Sequence, residues 1–404
     1  MRHFNWLWNQ NIPVNRDLVL LLTIGGLYSL ATFLSNTFVN VFLWKQSGEY
    51  IDIALYNLFV YLLQPTAFLA AGKLAKKVDR TMIIRLGVIV LSLFYITVLV
   101  VGDVASQIPM LLGAILGIGS GFYWLAFNVL TFEVTEPETR DFFNGSLGTL
   151  QSFGNMIGPI FAGYIITQMD NFKGYSLIFF LSFVLFVLAV VCSFFLKKRK
   201  ATGHFYFRKV LKEKKRNSNW KNILYAHVFQ GLREGLFIFI IAIWVFVVTG
   251  SEFKLGTFNF VLAFCSFIGY FVIVRLINKE KRATAIFIAG ITLYVAISIF
   301  IFYTTYTTLV IYAIVIGFAY PIFNVPFVSL TYDVIGKSKN ARELRIEYVI
   351  IRELFINVGR VCAIGLFLVC VLMFDPVVVI PILLLTLGSG NFIAYFFVRN
   401  IQLL

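Results

Sequence analysis

The sequence predicts an all-α membrane protein of about 12 transmembrane helices, built as two six-helix pseudo-repeats with both termini cytoplasmic. Three observations carry this. The 404 residues are 60% hydrophobic and 13% charged, whereas a soluble domain is nearer half apolar and a quarter charged. Apolar runs long enough to cross a bilayer follow one another along the chain, with the basic residues gathered in alternate short loops. Short motifs in the first half recur in the second, in the same order.

Read with a ruler of about 20 apolar residues per span, the first six spans cover 18–44, 51–71, 83–101, 109–131, 142–169 and 175–196. The second six cover 223–249, 255–276, 285–302, 309–334, 346–374 and 377–398. The organisation is therefore a first half (1–196), a basic linker (197–221) and a second half (222–404). Trp6 and Trp8 suit an interface ahead of span 1, and no cleavable signal peptide is visible.

The loops after spans 2, 6, 8 and 10 carry Lys73, Lys76, Lys77 and Arg80, then Lys197, Lys212 and Arg216, then Lys279, Lys281 and Arg282, then Lys337, Lys339 and Arg342. The intervening loops hold scattered charge only, such as Lys45, Asp103 and Asp375. The positive-inside rule puts the basic loops in the cytoplasm. The loop after span 4 is the exception, because Glu133, Glu136, Glu138 and Asp141 outnumber Arg140. Parity still places it with the basic loops, since acidic residues orient weakly. This distribution accounts for the net charge of +15 without nucleic-acid binding. The cysteines Cys192, Cys265, Cys362 and Cys370 all lie in apolar runs, with neither disulfide nor zinc spacing.

The internal repeat is explicit. Gly121-Phe122 followed by Phe127-Asn128-Val129 in span 4 is echoed by Gly317-Phe318 followed by Phe323-Asn324-Val325 in span 10. Gly26-Leu27 of span 1 returns as Gly231-Leu232 of span 7. Glycines at four-residue spacing, such as Gly113, Gly117 and Gly121, mark close helix packing. Span 5 carries Gly145, Gly154, Gly158, Pro159 and Gly163, a helix built to press against a neighbour.

This glycine-proline run resembles the helix-5 motif of the major facilitator superfamily, with Ala162 in place of one glycine. The loop after span 2, Gly72-Lys73-Leu74-Ala75-Lys76-Lys77-Val78-Asp79-Arg80, is similar to that family's best-known signature. Gly72, Leu74, Ala75 and Arg80 match. Lys76 stands where aspartate is usual, Asp79 where glycine is usual, and the arginine usual near the start of helix 4 is missing. The resemblance implies two halves rocking about helix 2–11 and 5–8 contacts. It implies gating by Gly72, Asp79, Arg80 and the helix-5 glycines, with Asp79 taking over the aspartate's role or the gate held differently. The helix-5 motif implies antiport.

An ionisable residue inside a bilayer is costly and is usually paired or functional. Span 7 holds His227, Gln230, Arg233 and Glu234, and span 11 holds Arg352, Glu353 and Arg360. A rise of about 1.5 Å per residue places Arg233 and Glu234 near the midplane, with Arg360 deeper in its span than Arg352 and Glu353. His227, Gln230 and Glu234 share a face, as do Glu353 and Arg360, while Arg352 and Glu353 point about 100° apart. His227, near the span's start, is expected at the interface. An arginine facing a cavity can bind an anionic group, and a carboxylate there can take up a proton. The structural alternative is an ion pair of Arg233 or Arg360 with Glu234 or Glu353, tying span 7 to span 11. In the first half the candidates are uncharged: Asn36, Tyr61, Gln64, Trp124, Asn128 and Gln151. Asn36 and Asn40, and Asn57, Tyr61 and Gln64, form polar stripes that would line a cavity.

Enzyme signatures are missing, and neither a cofactor nor a metal site is expected. The expectation is a monomeric secondary transporter in a bacterial cell membrane, exporting an amphipathic or lipophilic small molecule against protons. Import of an anionic metabolite, or a non-transporting sensor or scaffold with the same fold, are the alternatives.

Overall fold

A computed structural model describes residues 15–135, 137–170, 172–198, 204–276, 279–302, 304–338, 340 and 343–401. Trp6, Trp8, the side chains of the 136–142 loop, Lys339 and Arg342 and the surroundings of Gly145 lie outside the described residues. The first half contains α1 (Arg16–Ser47), α2 (Tyr50–Leu74), α3 (Arg80–Val101), α4 (Pro109–Val134), α5 (Pro137–Gln168) and α6 (Lys173–Phe194). A short linker helix α7 (Phe207–Glu213) follows. The second half contains α8 (Ser218–Thr249), α9 (Glu252–Leu276), α10 (Arg282–Phe302), α11 (Tyr306–Gly336), α12 (Arg345–Met373), α13 (Pro376–Gly388) and α14 (Gly390–Val398). Among the described residues, ten helical segments are long and apolar enough to cross a membrane. Helices α5 and α10 complete the six-plus-six order, so spans 7 and 11 are α8 and α12.

Local sequence explains many of the helix starts. Asn15, Asp79, Asn217 and Asp375 each accept a backbone N–H of the first turn, and Thr305 and Thr308 form a reciprocal capping pair. Span 12 is one apolar span over Pro376–Val398, with a single-residue turn at Ser389 between Gly388 and Gly390, residues of low helix propensity. The linker holds a helix, anchored by buried Val210.

The repeat read from the sequence is realised as packing. A Cβ on Gly113, Gly117 or Gly121 of α4 would sit 2.1, 2.5 or 2.6 Å from an atom of α2, so α4 lies backbone-to-backbone on α2. The equivalent glycine of α11, Gly317, meets Cys265 and Leu262 of α9. Gly25 and Gly26 of α1 face Leu147 and Leu150 of α5, while their counterpart Gly231 of α8 faces Ile356 of α12. Small residues at these crossings gain van der Waals contact where lipid offers no hydrophobic drive.

Contacts between the halves are the expected pairs. On α5, Gly163 abuts the Glu252 carbonyl of α9, and Gly256 of α9 abuts the Pro159 carbonyl. Gly154 and Gly158 instead face Leu30 and Phe33 of α1. Gly72 of α2 takes the Ile350 side chain of α12. The exceptional acidic loop keeps its parity, since Asn15 at the start of α1 donates to the Val134 carbonyl at the end of α4. Glu133 also pairs with Arg80.

Candidate functional site

Three of the five predicted charges of α8 and α12 converge on one cavity. It has a volume of about 490 Å³ and includes Arg233, Glu234 and Arg360 among its lining residues. Thr37 of α1 joins them, with Phe237, Ile238 and Ile241 of α8, Phe258, Asn259 and Leu262 of α9, and Tyr312, Ile316 and Tyr320 of α11. One end is therefore charged and the walls are apolar and aromatic.

Arg360 is the hub. Its Nη2 and Nε donate to Glu234 Oε2 at 2.6 and 3.2 Å, and its Nη1 donates to Asn357 Oδ1 at 3.3 Å. The guanidinium also stands 4.9 Å from the centre of the Tyr61 ring, which comes from α2 in the other half. The other carboxylate oxygen, Glu234 Oε1, accepts from Gln230 Nε2 at 2.8 Å. Gln230 Oε1 lies 2.9 Å from His227 Nδ1, and His227 Nε2 lies 3.2 Å from Thr331 Oγ1 on α11. The shared face of His227, Gln230 and Glu234 is thus a continuous hydrogen-bonded chain.

Arg233 differs. It is 5% exposed and stacks 4.6 Å from the Phe237 ring centre. It has no carboxylate within salt-bridge range among the described residues, and its Nε is buried without a hydrogen-bond partner. A buried cation without a counter-ion is expensive, so a cavity holding one is suited to receive an anion.

His227 is 2% exposed and set edge-on against Phe327, so α11 covers it. Glu353 does not bond Arg360 but pairs with its neighbour Arg352. Seven residues are about 10.5 Å along a helix, too far for direct contact, whereas long side chains close the 100° gap between adjacent positions. Arg352 also donates to Tyr332. Trp124 donates to the Tyr28 hydroxyl at 2.9 Å, inside an aromatic cluster with stacked Tyr28 and Tyr123.

The polar stripes divide. Asn40 turns to α2, where Asn57 donates to it at 2.7 Å, while Asn36 is exposed and uses its carbonyl to accept from Asn40. Replacing Asn57 with leucine is therefore expected to cost about 1 kcal/mol of stability in thermal unfolding, the usual worth of a membrane interhelical hydrogen bond. Gln64 and Gln151 are half-buried. Asn128 lines a separate cavity of about 260 Å³ with Arg80, Glu133 and Arg345, nearer the basic loops. Sequence reading missed Tyr312, Tyr320 and Asn259. The four-residue spacing of Tyr312, Ile316 and Tyr320 was the available signal.

The loop signature is wired differently from the family pattern. Lys76 lies 3.7 Å from Glu347 of α12, which is fully buried and also accepts the Tyr206 backbone N–H at 3.1 Å. Asp79 caps α3 through Thr81. On the opposite face, Lys45 of α1 pairs with Glu252 of α9 at 2.7 Å, and Tyr175 donates to the same carboxylate.

Comparison with known proteins agrees with this architecture. The model of the Major Facilitator Superfamily matches residues 18–343. The uncharacterized protein YqgE of Bacillus subtilis (strain 168) is 52% identical over 392 residues, covering 97% of this chain and 91% of that protein. An uncharacterized protein in the sodM 3′ region of Geobacillus stearothermophilus is 59% identical over 179 residues, 44% of this chain and 83% of the relative. Among solved structures, the human organic anion transporter MFSD10 (TETRAN) superposes with a TM-score of 0.67 at 12% identity, covering 96% of this chain and all (100%) of that one. A bacterial homologue of the iron transporter ferroportin, in its inward-facing state, superposes with a TM-score of 0.71 at 16% identity, covering 95% and 98%.

Proposed function

Starting from the fact that this chain belongs to the Major Facilitator Superfamily, we propose that it carries an amphipathic organic anion across the cell membrane, together with a proton. The observation that carries this is Arg233, a buried guanidinium without a carboxylate partner that faces a cavity walled by aromatic and aliphatic side chains. The anionic group of the substrate sits at Arg233, and its apolar body lies along Phe237, Phe258 and Ile316. Glu234 is the proton site. When it is ionised it holds Arg360. Taking up a proton breaks that pair and adds a second free guanidinium to the anion site, so anion and proton favour each other's binding. That linkage is reciprocal.

Coupling of this sign drives uptake under an inward proton gradient. Export by antiport needs the opposite sign, in which proton and substrate compete. The glycine-proline packing of α5 against α1 and α9 favours that second reading, by analogy with the family motif alone.

The test is ligand-induced thermal stabilisation of purified protein at two pH values, against organic anions, lipophilic cations, sugars and lipid head groups. A ligand at about 100 times its Kd stabilises the folded state by roughly 2.7 kcal/mol. Stabilisation is expected from amphipathic anions, to be lost in Arg233→Ala and to strengthen by roughly fivefold or more in affinity at acid pH. Stabilisation by cations, or an anion effect that survives Arg233→Ala, overturns the anion reading. Weaker anion binding at acid pH turns the coupling to antiport.

A further inference from the structure

A third cavity lies on the face of the basic loops. It is lined by Leu69 and Lys73 on the last turns of α2 and by Phe205, Tyr206, Phe207, Arg208, Lys209 and Lys212 of the linker. Its volume is about 820 Å³. Among the described residues, four that line it are cationic and none is acidic. The positive-inside rule explains why the linker is basic. It does not explain why four cations from two separate chain segments surround one hollow.

Their placement is fixed by packing. Phe205 and Phe207 stack with ring centres 6.2 Å apart, and Phe205 lies against the Gly72 position of α2. Tyr206 is held by its backbone N–H on Glu347, and its ring carries the Lys209 ammonium at 5.7 Å. Buried Val210 anchors the helix that bears Arg208, Lys209 and Lys212. The cations are therefore presented by an ordered scaffold at the level where α2 leaves the membrane, with Leu69 supplying an apolar wall below them.

We propose that this cavity binds the phosphate headgroup of an anionic phospholipid of the surrounding membrane. The headgroup lies among Lys73, Arg208, Lys209 and Lys212, and the glycerol and first acyl carbons run past Leu69. Juxtamembrane cations attract anionic lipid, and burial in a shaped site adds selectivity among them. The site adjoins a contact between the halves. Tyr206 lines the cavity with its side chain and ties Glu347 with its backbone, and Glu347 pairs with Lys76 across the two halves. An occupied headgroup site holds Tyr206 in place and so favours the state in which this face is closed.

The experiment titrates phosphatidylglycerol into the detergent-solubilised full chain and counts bound lipid by native mass spectrometry. Arg208→Gln with Lys209→Gln removes two lining cations. Lys215→Gln with Arg216→Gln removes the same charge from exposed linker positions outside the cavity. The first pair is expected to weaken phosphatidylglycerol binding roughly 25-fold, from about a fivefold loss per cation, and the second pair less than about twofold. Equal weakening by both pairs shows diffuse surface attraction and overturns the site, as does no weakening by either. Displacement of the lipid by inorganic phosphate at millimolar concentration also overturns the lipid assignment, in favour of a soluble phosphate compound. None of these readouts depends on which substrate the central cavity carries.

Discussion

Changing Glu234 to glutamine is expected to destabilise the protein by about 3 kcal/mol, because it leaves the largely buried Arg360 without a carboxylate in a cavity that already holds Arg233. The glutamine keeps the shape and still accepts from Gln230, so the loss measures charge and not packing. The pair retains some solvent contact, with side chains 18% and 17% exposed, which places the figure at the low end of the range for buried pairs. Removing the stranded cation as well, in Glu234→Gln with Arg360→Met, is expected to recover most of the stability. Paired hydrophobic replacement of a buried ion pair is often neutral. Thermal unfolding of the two variants in detergent makes the comparison. A single variant as stable as wild type would mean that Glu234 is already protonated in the resting protein. In Glu234→Gln, anion binding should also lose its pH dependence while Arg233 still holds the anion. That outcome separates the proton site from the anion site.

The second large effect lies in the backbone contact that makes this pair possible. Gly231 of α8 and Gly359 of α12 interlock: a Cβ on the first would sit 2.1 Å from the Ile356 carbonyl oxygen, and on the second 2.1 Å from that of Val228. Gly235 and Gly390 repeat the close approach, against Arg360 and Phe229. Both obstacles are backbone atoms, so no rotamer change can make room and the helices must separate. Gly231→Ala and Gly359→Ala are each expected to cost about 3 kcal/mol, the upper range for overpacking, and to lower the yield of folded, monodisperse protein. At Gly365, also on α12, a Cβ would meet nothing within 4 Å. There alanine is expected to stabilise by about 0.4–1 kcal/mol by restricting the unfolded chain. If all three alanines behave alike, helix propensity is deciding the outcome and the crossing is looser than its geometry. If they diverge as expected, separating α8 from α12 should also weaken the contact between Glu234 and Arg360, because both side chains reach across this same crossing.

The sequence by itself determined the architecture. A bilayer forces apolar runs of fixed length and satisfies backbone polar groups within each helix, so the helices could be found one at a time. Glycines at four-residue spacing announced their crossings for the same reason, since close approach is a local property of a small side chain. Gly113, Gly117 and Gly121, and the Gly26 and Gly231 pair, pack as their pattern required. The chemistry-bearing residues of α8 and α12 were also visible, because charge stands out in an apolar run.

The tertiary structure alone decided which of those charges meet. Arg360 takes Glu234 across the α8–α12 crossing and leaves Arg233 open, while Glu353 is consumed by Arg352. His227 is buried by α11, and Trp124 faces Tyr28 instead of the central cavity. Lys76, at an aspartate position of the loop signature, finds Glu347 in the other half of the chain. Periodicity within a helix fixes which residues share a face, but not the rotation, tilt and depth of the neighbour that face meets. An ion pair depends on both partners within a few ångströms, so it is set by the packing of whole helices.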